Sequence, residues 1–173
     1  IQSIFVCNKD INSDEMRAVL SKLDQKYLIY SGYGGYILKE HLFRLNKKFL
    51  HVHAGILPQY RGSTTAYYSL LQEKVIGATA IFLNEDIDAG EVITQETFGW
   101  PEETVDVDYI YEPYIRSRVL VKAINQYIEY GEITGWKQKE DIAETYYIIH
   151  PVLKHLALLS IERNQRECGK ENA

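Results

Sequence analysis

The chain has 173 residues, 46% hydrophobic and 25% charged, with a formal net charge of −5 at neutral pH. That suits one compact globular domain and excludes collagen-like and low-complexity chains; no apolar run approaches the ~20 residues of a membrane helix. The acidic balance also argues against a dominant nucleic-acid footprint, which needs a basic stripe; only the short clusters Arg44, Lys47, Lys48 and Lys137, Lys139 are basic.

The opening Ile1-Gln2-Ser3-Ile4-Phe5 has neither the basic start nor the long apolar stretch of a signal peptide. It lacks an initiator Met, and the true start is expected upstream. Cys7 and Cys168 stand near opposite ends and read as free thiols of a reducing, cytoplasmic setting.

In chain order, Ile4–Cys7 reads as a strand. Asn12-Ser13-Asp14-Glu15 caps a helix carrying Met16, Val19, Leu20 and Leu23 at helical spacing. Tyr27–Tyr30 is a second strand, the Gly-rich loop Ser31–Tyr36 follows, and a short helix spans about Leu38 to Leu45. Phe49–His53 is a third strand. Thr64–Gln72 is a helix after the loop Pro58–Ser63. Gly77–Leu83 and Glu91–Thr97 are strands joined by the acidic turn Asn84–Gly90. Such alternation predicts an α/β fold with a largely parallel sheet. Ligands are then expected beyond the strand ends, in the loops after Tyr30, His53 and Leu83. Further on, Tyr114–Tyr130 has helical periodicity, Glu144–Ile149 reads as a strand, and Pro151 opens a helix over Val152–Arg163 before a polar, frayed tail.

Several groups carry chemical potential. Gly32, Gly34 and Gly35 permit close backbone approach to a ligand, or simply make a tight turn. In His51-Val52-His53 the two imidazoles share one face of a strand; each can act as acid, base or donor, or hold zinc with a carboxylate, or rest half-buried and hydrogen-bonded. Arg61 can pair with a carboxylate or phosphate, and Ser63, Thr64 and Thr65 offer helix caps. Asp88 precedes Ala89-Gly90, either as plain turn chemistry or as a carboxylate orienting a histidine. The fourteen tyrosines suit core edges or a stacking wall, and Asp108–Arg118, with Arg116 and Arg118, suits helix packing or an acceptor pocket.

In order and spacing, these pieces resemble the folate-dependent formyltransferases, a family that includes methionyl-tRNA formyltransferase-like and sugar N-formyltransferase-like members. The family's Asn-x-His, Leu-Pro-x-Tyr-Arg-Gly and Asp-x-Gly elements read here as His51-Val52-His53, Leu57-Pro58-Gln59-Tyr60-Arg61-Gly62 and Asp88-Ala89-Gly90. Tyr33-Gly34-Gly35-Tyr36-Ile37-Leu38 resembles its Tyr-Gly-x-x-Leu loop. The likeness spans about residues 10–97.

The resemblance implies a Rossmann-like catalytic core over 1–100, N-terminally incomplete, with a helical or α+β extension over 101–173 packed on it. It implies formyl transfer from 10-formyltetrahydrofolate to the amine of an amino sugar, amino-acid derivative or aminoacyl-tRNA. By the same resemblance His53, Asp88 and His51 are catalytic. Tyr33, Gly34, Gly35, Tyr36, Ile37, Leu38 and Asp86 hold the folate. Leu57, Tyr60 and Arg61 face the acceptor. No metal or membrane is expected, nucleic acid is disfavoured with tRNA left open, and a homodimer is left open. A formyltetrahydrofolate hydrolase and a non-catalytic or metal-binding homologue are the alternatives. Two departures stand out: His51 replaces the family's Asn, with Gly55 where many members carry Ser, and the chain is expected to lack the strand–helix–strand–helix unit with which the family's domain begins, as well as the further domain of the tRNA-specific members after Thr97.

Overall fold

The computed structural model describes residues 3–32, 36–101 and 105–171, with the backbone alone at 162 and 164–171. Ser13 opens helix α1, Asp14–Ser21, its hydroxyl accepting the Met16 N–H at 3.2 Å. Strand β1, Tyr27–Ile29, is followed by α2, Glu40–Phe43, and β2, Lys48–His53. After the short β3, Arg61–Gly62, come α3, Thr65–Glu73, then β4, Ile76–Phe82, and β5, Val92–Phe98. A π-helical turn over Val107–Tyr111 leads into α4, Glu112–Tyr130; β6, Thr145–Tyr146, and α5, Pro151–Glu171, complete the described chain. Asp106 caps the π-helical turn through the Tyr109 N–H at 2.8 Å, and Gly131, at φ +76°, ends α4.

The main sheet runs β1-β2-β4-β5. The fold is α/β as expected, but the sheet is mixed: β1 and β2 are parallel, while β2–β4 and β4–β5 are antiparallel. The turn from β4 to β5 is too short for a parallel crossover, which needs a dozen or more residues. Before β4, the chain re-enters the sheet at the His53 end of β2, pairing His53 with Thr79 and Leu50 with Phe82. It therefore runs back along β2.

Alternation divides the sheet into two faces. On one, Leu50, Val52, Ala78, Ala80, Phe82 and Ile93 form the main core with Ala66, Tyr67 and Leu70 of α3 and Ile115, Val119 and Ala123 of α4. Ala157 and Ile161 of α5 join the same cluster. On the other face, Phe49 meets Leu38 and Leu42, and Ile81 and Val92 meet Leu57. This second face carries His51 and His53.

Three local expectations change. Ile4–Cys7 is irregular, with Phe5 95% exposed; a strand needs a hydrogen-bonded neighbour, and among the described residues none pairs with it. The expected strand Glu144–Ile149 shrinks to Thr145–Tyr146, because its partner β3 is only two residues long. The last helix runs on to Glu171, since its tail holds no proline to stop it. The Cys7 thiol is free and exposed; the side chain of Cys168 lies outside the described residues.

Candidate active site

The last residue of β2 is the hub. His53 is 6% exposed, and its Nε2 lies 2.6 Å from the Tyr60 carbonyl oxygen and 3.3 Å from Thr65 Oγ1. The Thr65 hydroxyl donates to the Ala54 carbonyl, so its oxygen accepts from the imidazole. With two acceptors facing it, Nε2 carries a proton. Nδ1 stands 3.3 Å from Asp88 Oδ2.

Two glycines permit this geometry. A Cβ on Gly55 would lie 2.7 Å from His53 Nε2 and 2.8 Å from the Tyr60 oxygen. The bare backbone of Gly55 thus leaves room for these two atoms to meet. Gly62 adopts φ +99°, and a Cβ there would lie 2.0 Å from the Tyr146 oxygen. Its N–H donates to Asp88 Oδ2 at 2.8 Å, fixing the carboxylate oxygen that faces His53.

Asp88 itself sits at φ +51°, the left-handed region that few non-glycine residues occupy. The conformation is braced from a distance. Gln138 Nε2 donates to the Asp88 and Gly90 carbonyls at 2.7 and 2.8 Å. Its Oε1 accepts from Arg61 Nε and Nη2 at 3.2 and 2.8 Å. Glu140 takes the same guanidinium with both oxygens, at 2.9 and 2.8 Å. The anion that Arg61 is expected to pair with, a carboxylate or a phosphate, is therefore met by a carboxylate of the chain itself, and the Arg61 side chain is buried. Sequence reasoning missed Gln138 and Glu140: they lie about 50 and 79 residues from their partners, in a polar segment with no motif.

His51, two residues up β2, is half-buried, and its Nδ1 lies 3.2 Å from the Tyr30 carbonyl oxygen. Burial holds its imidazole below the ordinary histidine range; Arg116 and His53 push the same way, while the Tyr30 bond and Asp88 oppose. Arg116, on α4, pairs with Glu112 at 3.4 Å. Of the expected folate residues, Tyr36 and Ile37 are exposed, Leu38 is buried with Leu42 and Phe49, and Asp86 is exposed in the acidic turn. Tyr33, Gly34 and Gly35 lie outside the described residues. Leu57 and Tyr60 are buried, Leu57 against Ile81 and Val92, Tyr60 with its ring 5.5 Å from that of Tyr146. The acidic turn borders a cleft of about 680 Å³ lined also by Phe43, Lys48 and Phe82. Among the described residues no three His, Cys, Asp or Glu side chains gather to hold a metal ion, and no helix is long and apolar enough to cross a membrane.

Comparison with known proteins decides the kinship. The family described as formyl transferase matches residues 6–107, more than half of the chain. The chain belongs to the formyl transferase family. A methionyl-tRNA formyltransferase of Finegoldia magna is 32% identical over 144 residues, covering 82% of this chain and 46% of that protein. One from Clostridium tetani is 29% identical over 133 residues, covering 74% and 42%. The chain thus spans about half the length of the curated family members it matches.

Solved family structures share the fold. The methionyl-tRNA formyltransferase of Clostridium thermocellum superimposes with a TM-score of 0.61 at 17% identity, over 85% of this chain and 60% of that one. The formyltransferase PseJ of Anoxybacillus kamchatkensis, in complex with UDP-4,6-dideoxy-4-formamido-L-AltNAc and tetrahydrofolate, gives 0.62 at 20% identity, over 81% and 70%.

Proposed function

We propose that this chain carries the catalytic core of a folate-dependent N-formyltransferase. It moves a formyl group from 10-formyltetrahydrofolate to the free amine of an amino sugar, amino-acid derivative or aminoacyl-tRNA in the cytoplasm, without a metal. The observation that carries the reading is the His53–Asp88 couple: a buried imidazole held against a braced carboxylate. The family membership and the tetrahydrofolate in the related PseJ structure support the donor.

The amine nitrogen attacks the formyl carbon, an N–C bond forms, and the carbonyl pair moves onto oxygen. Collapse breaks the bond from carbon to the folate nitrogen, which must gain a proton, while the attacking nitrogen loses one. The His53–Asp88 couple supplies the proton to the leaving nitrogen. A donor positioned on the oxyanion is worth about 3–4 kcal/mol. In this reading the Tyr33–Leu38 loop, including Tyr36 and Ile37, and the turn with Asp86 cradle the pterin, and Leu57, Tyr60 and Arg61 shape the acceptor side from beneath.

Calorimetry with a stable 10-formyltetrahydrofolate analogue, chelator present, tests the reading alongside formyl-transfer assays. The expected result is binding on the order of micromolar, with Asp88→Asn keeping that affinity and losing about 100-fold or more in turnover. A folded chain that binds no analogue, or unchanged turnover in Asp88→Asn, overturns it. Formate release without any amine would reassign the site to hydrolysis.

A further inference from the structure

The hydrogen bond from His51 to the Tyr30 carbonyl has a chemical consequence for the reaction. A carbonyl oxygen only accepts, so His51 Nδ1 carries the hydrogen. In the neutral ring Nε2 then bears the unshared pair. Among the described residues Nε2 has no protein partner, and the ring is half-buried at one face of the sheet, two residues from His53. Side chains at i and i+2 of a strand stand about 7 Å apart, room for a small group to reach one ring while the other engages the formyl.

The groups around His51 keep the pair available. Burial disfavours a second proton, as do Arg116 from α4 and His53 from β2; the Tyr30 bond and Asp88 from the acidic turn favour one. Tyr30, on the β1 side, keeps its own proton, since burial and Tyr36 hold its phenol above the ordinary range. An Asn in this position would present an amide N–H and could take no proton. The imidazole presents a base.

We propose that His51 Nε2 is the proton acceptor for the attacking amine. This rests on the N-formyl transfer reading above. As the nitrogen–carbon bond forms, the amine nitrogen becomes cationic; His51 Nε2 takes one of its protons and becomes imidazolium, which returns the proton to solvent after release. The leaving folate nitrogen takes its proton from the His53–Asp88 couple, which is refilled from solvent, so one proton leaves the amine and one reaches the folate.

Two measurements on the 173-residue chain test this. Long-range nitrogen–proton NMR of the histidine rings, with His51→Asn identifying the signals, should show His51 neutral and protonated at Nδ1 at pH 7, titrating below the ordinary value of about 6.5. An Nε2-protonated or charged ring at pH 7 overturns the proposal. In transfer assays, His51→Asn should lose about 100- to 10,000-fold in kcat, keep its affinity for the 10-formyltetrahydrofolate analogue, and regain part of the rate on addition of imidazole. Turnover in His51→Asn equal to or above the unsubstituted chain overturns the role of His51 and leaves formyl transfer standing. No analogue binding by the unsubstituted folded chain overturns the transfer reading itself.

Discussion

The two faces of the main sheet use the same strands and share the same pleat, yet they are finished differently. Under α3 and α4, side chains from β2, β4 and β5 meet helix side chains in one apolar cluster, with Ala78, Ala80, Ile115 and Ala123 fully enclosed. The opposite face buries polar atoms: His53, Asp88 and Thr79 are held by defined hydrogen bonds, Thr79 through the Leu57 N–H and Gly55 carbonyl at 3.2 and 2.6 Å. Apolar packing tolerates approximate fit at modest cost, whereas a buried polar group costs the full desolvation penalty if its partner is lost. The first face buries the largest apolar cluster among the described residues. The second carries the orientation on which chemistry depends.

Substitutions on each face test this contrast. Ile115→Ala should have the largest effect on stability, about 2–5 kcal/mol, read as a fall in the urea midpoint with the slope unchanged. A loss under about 1 kcal/mol would mean the helical face is not the close-packed one. Gln138→Ala removes two donors to the Asp88 turn and an acceptor of Arg61. We expect a cost of about 1–3 kcal/mol, with kcat lowered more than analogue affinity. Gln138→Glu keeps the acceptor for Arg61 but loses the donors to the carbonyls, so its kcat should fall too. Turnover intact in Gln138→Glu would show that the brace on Asp88 does not matter to catalysis.

The smallest expected effect is a pH dependence. His51 has a lowered value in the fold, so below its ordinary value of about 6.5 the unfolded chain takes up a proton that the folded chain does not. That part of the stability is complete above about 6.5 and is lost as pH falls toward the lower folded value. Urea midpoints measured across this window should fall with pH, and His51→Asn should flatten the slope. An equal slope in the variant would place the loss on another group.

Much of the second face is legible in the residues alone. The period of two places His51 and His53 on one side of a strand, and Asp88 is marked by its turn and by the spacing of the family motif. Arg61 reads as a partner for an anion, but nothing near it in the chain identifies Glu140. The mixed strand directions are not legible either, because the alternation of strands and helices is the same whether the chain re-enters the sheet at one end of β2 or the other.

Residues close together in the chain encode the Ser13 cap of α1, the strands β2 and β4 and the helical period of α4. These depend on hydrogen bonds and side-chain periods within a few residues. Closure of the fold brings Asp88 to His53 and Gly62, Gln138 to the Asp88 turn, and the Tyr30 carbonyl to His51. Those partners lie 21 to 50 residues apart in the chain. Whether such groups meet depends on how the whole sheet closes, which no local pattern of residue types encodes.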